Sequence, residues 1–310
     1  MAKKNKEYTY DAKKHIKMTG SDRVMNMGFY LFITIFSVIC LIPFLLVVGS
    51  SFTAEKALTM NGYNIWPSEF SLDAYKLVFV SGDIPQAYLV TVGTTLVGTF
   101  VSMVFTCGAA YAMSVKNFKS RGVLALFIYF TMLFNGGLVA NYLLITKFLH
   151  LQNTILVLLL PCFCNAWHIL LMRNFFNGIP ASLAESAKID GANDIVILIR
   201  IILPISLPGI ATIGLFYALT YWNEWYKCML YIDSNHKQYY TLQYLIQQIL
   251  RQVNYAANQP AEAVGLNSLT LPTYAYRMAT IVVAIGPIIL LYPFLQKYFV
   301  QGLTVGSVKG

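Results

Sequence analysis

Six stretches of this chain, 24–54, 84–115, 122–146, 148–172, 201–223 and 278–296, contain no Asp, Glu, Lys or Arg. A helix needs about 20 predominantly apolar residues to cross a hydrocarbon core. Inside lipid, backbone N–H and C=O groups find no water, so runs of this kind must pair their own backbone as helices. The expected fold class is therefore all-α: a polytopic membrane protein with six transmembrane helices. Composition agrees, with 11% charged and 57% hydrophobic residues and a mean hydropathy of +0.59, against roughly 25% charged residues in a soluble domain. The net charge of +9 sits in tails and loops beside the runs. That pattern points to a lipid bilayer as partner and to no nucleic acid.

The basic residues also set an expected orientation. Seven Lys/Arg precede the first run, three lie at 116–121, three at 173–200 and two after the sixth run, and these segments alternate to one side. That side carries fifteen of the 22 Lys/Arg, the other at most seven. Positive-inside then places both termini and the 173–200 segment in the cytoplasm. The basic start resembles a signal-peptide n-region, but the apolar run after it is too long for a cleaved segment, so it reads as a retained span. The expected division is a basic tail at 1–23, a transmembrane unit at 24–299 and a second cytoplasmic tail at 300–310.

Sites for chemistry are scarce. Cys40, Cys107, Cys162, Cys164 and Cys228 lie in or beside apolar runs; Cys162-x-Cys164 has no second ligand pair at zinc spacing, so neither metal nor disulfide is expected. No G-x-x-x-x-G-K-[ST] pattern occurs, and Gly is nowhere followed by Lys. With no P-loop, ATP and Mg would have to be bound by partner subunits, and this chain is expected to hold no cofactor and to have no ATPase site.

One polar island, 173–203, separates two apolar runs. Ser182-x-x-Glu185 has capping-box spacing just after Pro180, a helix start. Gly191 is placed to end that helix, and Asp190, Asn193 or Asp194 to cap a second one running to Pro204. The pattern Glu185, Ala187, Gly191, then Ile201, Leu203 and Pro204 resembles the EAA loop of ABC-importer permeases, with Ser186 in place of the usual first Ala. In that family the loop is a cytoplasmic coupling helix seated in a cleft of an ATPase subunit. The resemblance thus implies an ATPase-coupling role for Glu185, Ser186, Ala187, Asp190, Gly191, Ala192, Leu203 and Pro204, within a type I importer permease fold. A capped surface helix of an unrelated membrane protein would share the caps but not the full spacing.

Further segments narrow the branch. Ser51-Phe52 with Glu55-Lys56-Ala57-Leu58, Asn61-Gly62, the Trp66-Pro67 to Tyr75 run, and the tail from Gln296 to Gly310 resemble carbohydrate permeases of the maltose-type second subunit, in particular their poly- and oligosaccharide group. Membership would imply a bacterial plasma-membrane protein paired with a second homologous permease. Two ATPase subunits and an extracytoplasmic solute-binding protein would complete the assembly, and residues 302–310 would reach the ATPase interface.

Polar residues at membrane depth are candidates for a substrate path. Asn135-Gly136-Gly137 lies inside the third run, where a Gly pair permits close packing or a kink; Gly93, Gly98 and Gly108 read as packing positions. Tyr221, Trp222, Asn223, Glu224 and Trp225 end the fifth run. Aromatics beside amide and carboxylate groups suit a sugar, and they equally suit an interfacial aromatic belt. His150 and His168 read as isolated polar packing residues. On the other face, 51–83 contains an amphipathic patch at 72–80, and 233–276 a helical pattern at Leu242, Leu245, Ile246, Ile249, Leu250 and Val253. The latter reads as an interfacial helix or as a platform for a binding protein. An ion-coupled transporter would normally need intramembrane carboxylates, which runs one to four lack. A membrane-embedded enzyme would need a catalytic cluster, and none is visible. Importers of non-sugar solutes share the coupling loop, so the sugar rests on the branch resemblance.

Overall fold

The structure is a computed structural model that describes residues 20–80, 82–257 and 274–289. The expected N-terminal tail to residue 19 and the tail at 300–310 lie outside them. Among the described residues the chain is helical, with one isolated antiparallel bridge between Thr53 and Phe70.

Two helices run unbroken for 32 residues each, α1 (Gly20–Ser51) and α4 (Asp83–Ser114). At 1.5 Å per residue each reaches about 48 Å, beyond the ~30 Å of a hydrocarbon core. Between them lie α2 (Glu55–Asn61) and α3 (Asp73–Val80). Three further apolar runs are bent pairs. Helix α5 (Arg121–Leu133) meets α6 (Gly137–Leu143, extended by a π-helical turn to Phe148) at 114°. Helix α7 (Leu156–Leu159, with a 3-10 turn to Cys162) meets α8 (Ala166–Asn177) at 48°. After α9 (Ala181–Ile189), α10 (Asp194–Ile197) continues through a π-helical turn into α11 (Leu203–Ile205), which meets α12 (Leu207–Trp222) at 87°. The chain ends its described course in α13 (Tyr226–Tyr231), a 3-10 segment (Ser234–Tyr239), α14 (Leu242–Ala257) and α15 (Tyr274–Ile289).

Each break has a local cause that apolar composition does not report. At the first, Gly137 has φ +79° and its N–H donates to Asn135 Oδ1 at 2.9 Å, so an Asn-Gly-Gly turn replaces a helical one. At the second, Asn165 Oδ1 accepts from the His168 N–H at 3.1 Å and starts a new helix. At the third, the turn falls at Ser206, with Pro208 providing no N–H to the first turn of α12. Pro204 lies inside α11, so the helix expected to stop there runs past it to Ile205.

The spine is α4, against which α12 and α8 pack. One of its faces is buried and small or hydroxylated: Thr91, Thr94, Gly98, Ser102, Thr106 and Ala110. Small residues let two helices approach closely where no water drives them together. A Cβ on Gly98 would lie 2.5 Å from the Tyr221 ring, so only Gly fits there. At Gly93 and Gly108 a Cβ would meet nothing within 4 Å, which corrects the expectation that all three are packing positions. The two faces of α4 and α12 are also stitched by hydroxyls. Ser102 Oγ and Tyr221 OH lie 2.9 Å apart, Thr106 Oγ1 and Tyr217 OH 2.7 Å. Hydroxyls at membrane depth need such partners because lipid offers none.

Helix α1 departs from this bundle, its residues from Val24 to Leu45 almost all exposed. Its last turn alone is seated: Gly49 lies under the Ile65 carbonyl, 2.0 Å from where a Cβ would stand, and Ser51 Oγ meets Tyr75 OH at 2.8 Å. Helix α14 lies on the opposite end of α4 from α9. Its apolar face is buried within the chain, Leu242 and Ile246 packing with Val78, Ile84, Trp222 and Ala279. Leu245, Ile249 and Leu250 on the same pattern are half-buried.

Candidate functional site: the α9–α10 loop and the far end of α4

Helix α9 starts at Pro180, whose fixed φ suits a helix start, and no side chain caps it. Ser182 and Glu185 therefore do not form the expected capping box. Ser182 already lies inside the helix, one position past the first residue, and Glu185 is exposed and makes no ion pair among the described residues. The C-terminal end is as the spacing predicts. Gly191 has φ +86°; its N–H donates to the Lys188 carbonyl at 3.1 Å and the Ala192 N–H to the Ala187 carbonyl at 2.9 Å. These are the two reversed bonds of a Schellman end, with Asp190 as the last half-helical residue. Asn193 then caps α10, its Oδ1 accepting from the Val196 N–H at 2.8 Å.

The result is a hairpin of two short helices with a sharp, fully hydrogen-bonded corner. Its inner side, Ala184, Ala187 and Ala192, is half-buried against the core that holds Met113, Phe176 and Ile197. Its outer side presents Leu183, Ser186, Asp190 and Ile189, the last 87% exposed. Lys188 Nζ and Asp194 Oδ1 bridge the limbs at 2.8 Å, and Tyr111 OH donates to Asp194 from the end of α4 at 3.5 Å. Leu203 packs on the same core and Pro204 faces outward. Between this hairpin, the end of α4 and the turn after it lies a cavity of about 200 Å³, bordered by Tyr111, Lys116, Asn117, Asn177, Glu185 and Lys188. Its far wall was hidden from sequence reasoning, although the basic segment 116–121 was expected on the same side.

The substrate-path candidates lie at the other end, and the structure brings them together only in part. Tyr221 is buried, its OH donating to the Leu159 carbonyl at 3.2 Å. Trp222 is buried, edge-on to Tyr88, and its Nε1 donates to the Ala284 carbonyl of α15 at 3.2 Å. Both side chains are thus committed to contacts within the chain. Asn223 is exposed and donates to the Leu219 carbonyl at 2.9 Å. Glu224 ion-pairs with Lys227, and its backbone carbonyl accepts from Thr241 Oγ1 at 2.6 Å. Trp225 is half-buried against the cluster around Tyr231 and Tyr240. Asn135 is exposed at the α5–α6 break, far from this group in sequence, where its Oδ1 holds the turn. His168 is buried beside Trp167, Phe216 and Tyr217, whereas His150 is an exposed turn residue at φ +51° and not a packing residue.

One long-range feature at this end carries no sequence signal. Glu55 of α2 accepts from the N–H groups of Tyr274 and Ala275 at 2.9 and 2.7 Å, so a carboxylate from residue 55 caps α15. Asp233 is held below the ordinary carboxylate range, chiefly by its contact with His236 at 2.7 Å.

Residues 104–305 match the family described as "Binding-protein-dependent transport system inner membrane component". The chain belongs to this family. The matched region contains both limbs of the α9–α10 hairpin and the whole of α12. Among curated relatives, the chain is 40% identical over 289 residues to the "Polygalacturonan/rhamnogalacturonan transport system permease protein YtcP" of Bacillus subtilis, covering 93% of this chain and 99% of that one. It is 38% identical to "Protein LplC" of the same organism, covering 94% and 97%. A solved structure, "Crystal structure of a bacterial ABC transporter involved in the import of the acidic polysaccharide alginate", superposes with a TM-score of 0.79 at 31% identity, covering 91% of this chain and 99% of that chain. This family member thus has the ABC-importer permease fold and is a membrane protein of the bacterial cell membrane.

Proposed function

We propose that the chain is the membrane-spanning permease subunit of an ATP-driven importer that moves an oligosaccharide or polysaccharide fragment. In this reading a second, homologous permease pairs with it, two ATPase subunits hold ATP and Mg, and a solute-binding protein delivers the sugar from outside. The α9–α10 hairpin is the element that meets an ATPase subunit, and the chain has both termini in the cytoplasm. The observation that carries this is the hairpin's geometry: a nine-residue helix ended by a Schellman turn, presenting Leu183, Ser186, Ile189 and Asp190 on its outer side and fixed to the core on its inner side. Such an element moves as one body, since packed structures shift between discrete arrangements and do not deform smoothly. Closure of an ATPase dimer would then be transmitted to α4, α8 and α12, which share the core beneath the hairpin.

The sugar rests on the relatives, two of whose printed names concern polysaccharides, and on the full-length match to them. ATP-dependent uptake of a radiolabelled oligosaccharide into vesicles containing the whole transporter tests the reading, with copurification of the ATPase subunits as a second readout. Uptake of no saccharide by a complex that still hydrolyses ATP would remove the sugar. Failure of the ATPase to copurify would remove the coupling role.

A further inference from the structure

The loop between α2 and α3 does not stand away from the end of α1 but folds back beside it. The Ala54 N–H donates to the Glu69 carbonyl and the Ser71 N–H to the Phe52 carbonyl, both at 2.9 Å, so the two ends of the segment are tied together just beyond α1. A Cβ on Gly49 would strike the Ile65 carbonyl, which sets the loop's tip against the last turn of α1, level with Gly49. The next residue, Trp66, is 84% exposed, and Tyr63, Ile65 and Phe70 are exposed beside it.

Height decides what this patch meets. Over the 26 residues from Arg23 to Gly49, α1 rises about 39 Å. A bilayer measures ~30 Å across its hydrocarbon and ~40–45 Å with its headgroups. With Arg23 among the headgroups of one leaflet, Gly49, Ile65 and Trp66 come level with the headgroup and ester layer of the other. Trp and Tyr collect in that layer, because each joins an apolar ring to a polar tip. The patch also takes up where the exposed flank of α1 ends at Leu45, one turn before Gly49.

A second segment reaches the same height. The Tyr63 ring stands edge-on to Tyr274, at 6.2 Å and 75°, and Tyr274 opens α15. Arg277, one turn further, is near enough for its charge to act on Tyr63. A guanidinium beside aromatic rings at this level suits a phospholipid, the rings meeting the upper acyl chain and the cation the phosphate.

We propose that the loop at 62–66 is a lipid anchor. Trp66 and Tyr63 sit in the interfacial layer of the outer leaflet and hold the ends of α1 and α15 at one depth. The lipid contact rests on the loop's height; that the leaflet is the outer one rests on the orientation proposed above.

The test uses the complete transporter reconstituted in phosphatidylcholine–phosphatidylglycerol vesicles. A nitroxide is placed on Trp66→Cys in a chain whose five native cysteines are replaced. Its ratio of collisions with dissolved oxygen to collisions with a water-soluble nickel chelate should exceed that of a label on Asn235→Cys by about fivefold. With Trp66 in place, the parent's emission minus that of Trp66→Phe should be quenched more by lipid brominated near the glycerol end of its chains than near their methyl ends. A label as open to the chelate as the one at Asn235 overturns the proposal. So does a label shielded from oxygen and chelate alike. Shielding before the binding protein is added makes the loop a contact with the second permease; shielding only afterwards makes it a docking surface. Saccharide uptake that persists in any of these cases leaves the importer reading standing, whereas no uptake with Trp66 still in lipid removes that reading and keeps the anchor. An anchor in the leaflet that faces the ATPase sites overturns the outer placement and the orientation together.

Discussion

The two ends of α4 are held together by different kinds of bond. At the hairpin end nearly every orientating contact is local in sequence: Gly191 to Lys188, Ala192 to Ala187, Val196 to Asn193. At the far end the orientating contacts span the chain: Glu55 to Tyr274 and Ala275, Trp222 to Ala284, Thr91 to Leu242. A local turn keeps its shape wherever the hairpin is carried, which suits an element that transmits movement. Long-range caps instead bind separate segments to one another, so altering one changes how the segments assemble. Substitutions at the first end should change function at constant abundance, and at the second end abundance first.

The largest effect is expected for Trp222→Ala, which removes a buried ring and strands the Ala284 carbonyl. Truncations of this kind cost about 3–5 kcal/mol, so membrane abundance and thermal stability should both fall, with Trp222→Phe losing only the hydrogen bond at roughly 1 kcal/mol. A Trp222→Ala protein of normal thermal stability that fails in uptake would return this residue to the substrate path.

Gly191→Val comes next. No atom lies within 4 Å of a Cβ there, so the only penalty is the left-handed backbone, roughly 1–2 kcal/mol and worse for a β-branched residue. Abundance should be near normal, transport abolished and ATPase copurification weakened, while Gly191→Asn should retain much of both. Normal uptake by Gly191→Val at matched abundance would separate the hairpin from coupling.

Glu55→Ala should cost about 1–3 kcal/mol, because two backbone N–H groups lose a charged acceptor. Protease accessibility near residue 274, measured in the membrane, should rise while copurification with the ATPase stays unchanged. Loss of ATPase binding instead would mean the two ends are not independent. The smallest effect is expected for Lys188→Ala, whose partner Asp194 is more than half exposed at 58%. Pairs of this kind are worth about 0–1 kcal/mol, and a double-mutant cycle with Asp194→Ala on ATPase copurification should give little coupling.

How legible each region was follows from the same difference. Gly191 and Asn193 were readable because a left-handed residue and an Asx cap act within four positions of themselves. The capping box at Ser182 was misread because Pro180 begins the helix unaided, so the spacing matched without the geometry. Asn135-Gly136-Gly137 signalled a kink but not a turn of 114°, since the angle depends on what the two halves pack against. Of the three glycines on α4, only Gly98 faces Tyr221, a fact about the partner helix that no pattern on α4 contains. Tyr221 and Trp222 were equally plausible in a sugar site and in a core; their carbonyl acceptors, Leu159 and Ala284, lie 62 residues away in either direction.

By itself, the sequence determined what depends on composition and on neighbours along the chain. It set the membrane environment, because charge-free runs of this length have no other solvent. It set the helical class, because an unpaired backbone is too costly in lipid. It also set the corner at Gly191, because one backbone conformation excludes a Cβ. The tertiary structure alone decided which runs bend, which polar groups are used up in holding helices together, and which are left facing open space. Hydrogen bonds and close packing at membrane depth are settled between partners distant in sequence.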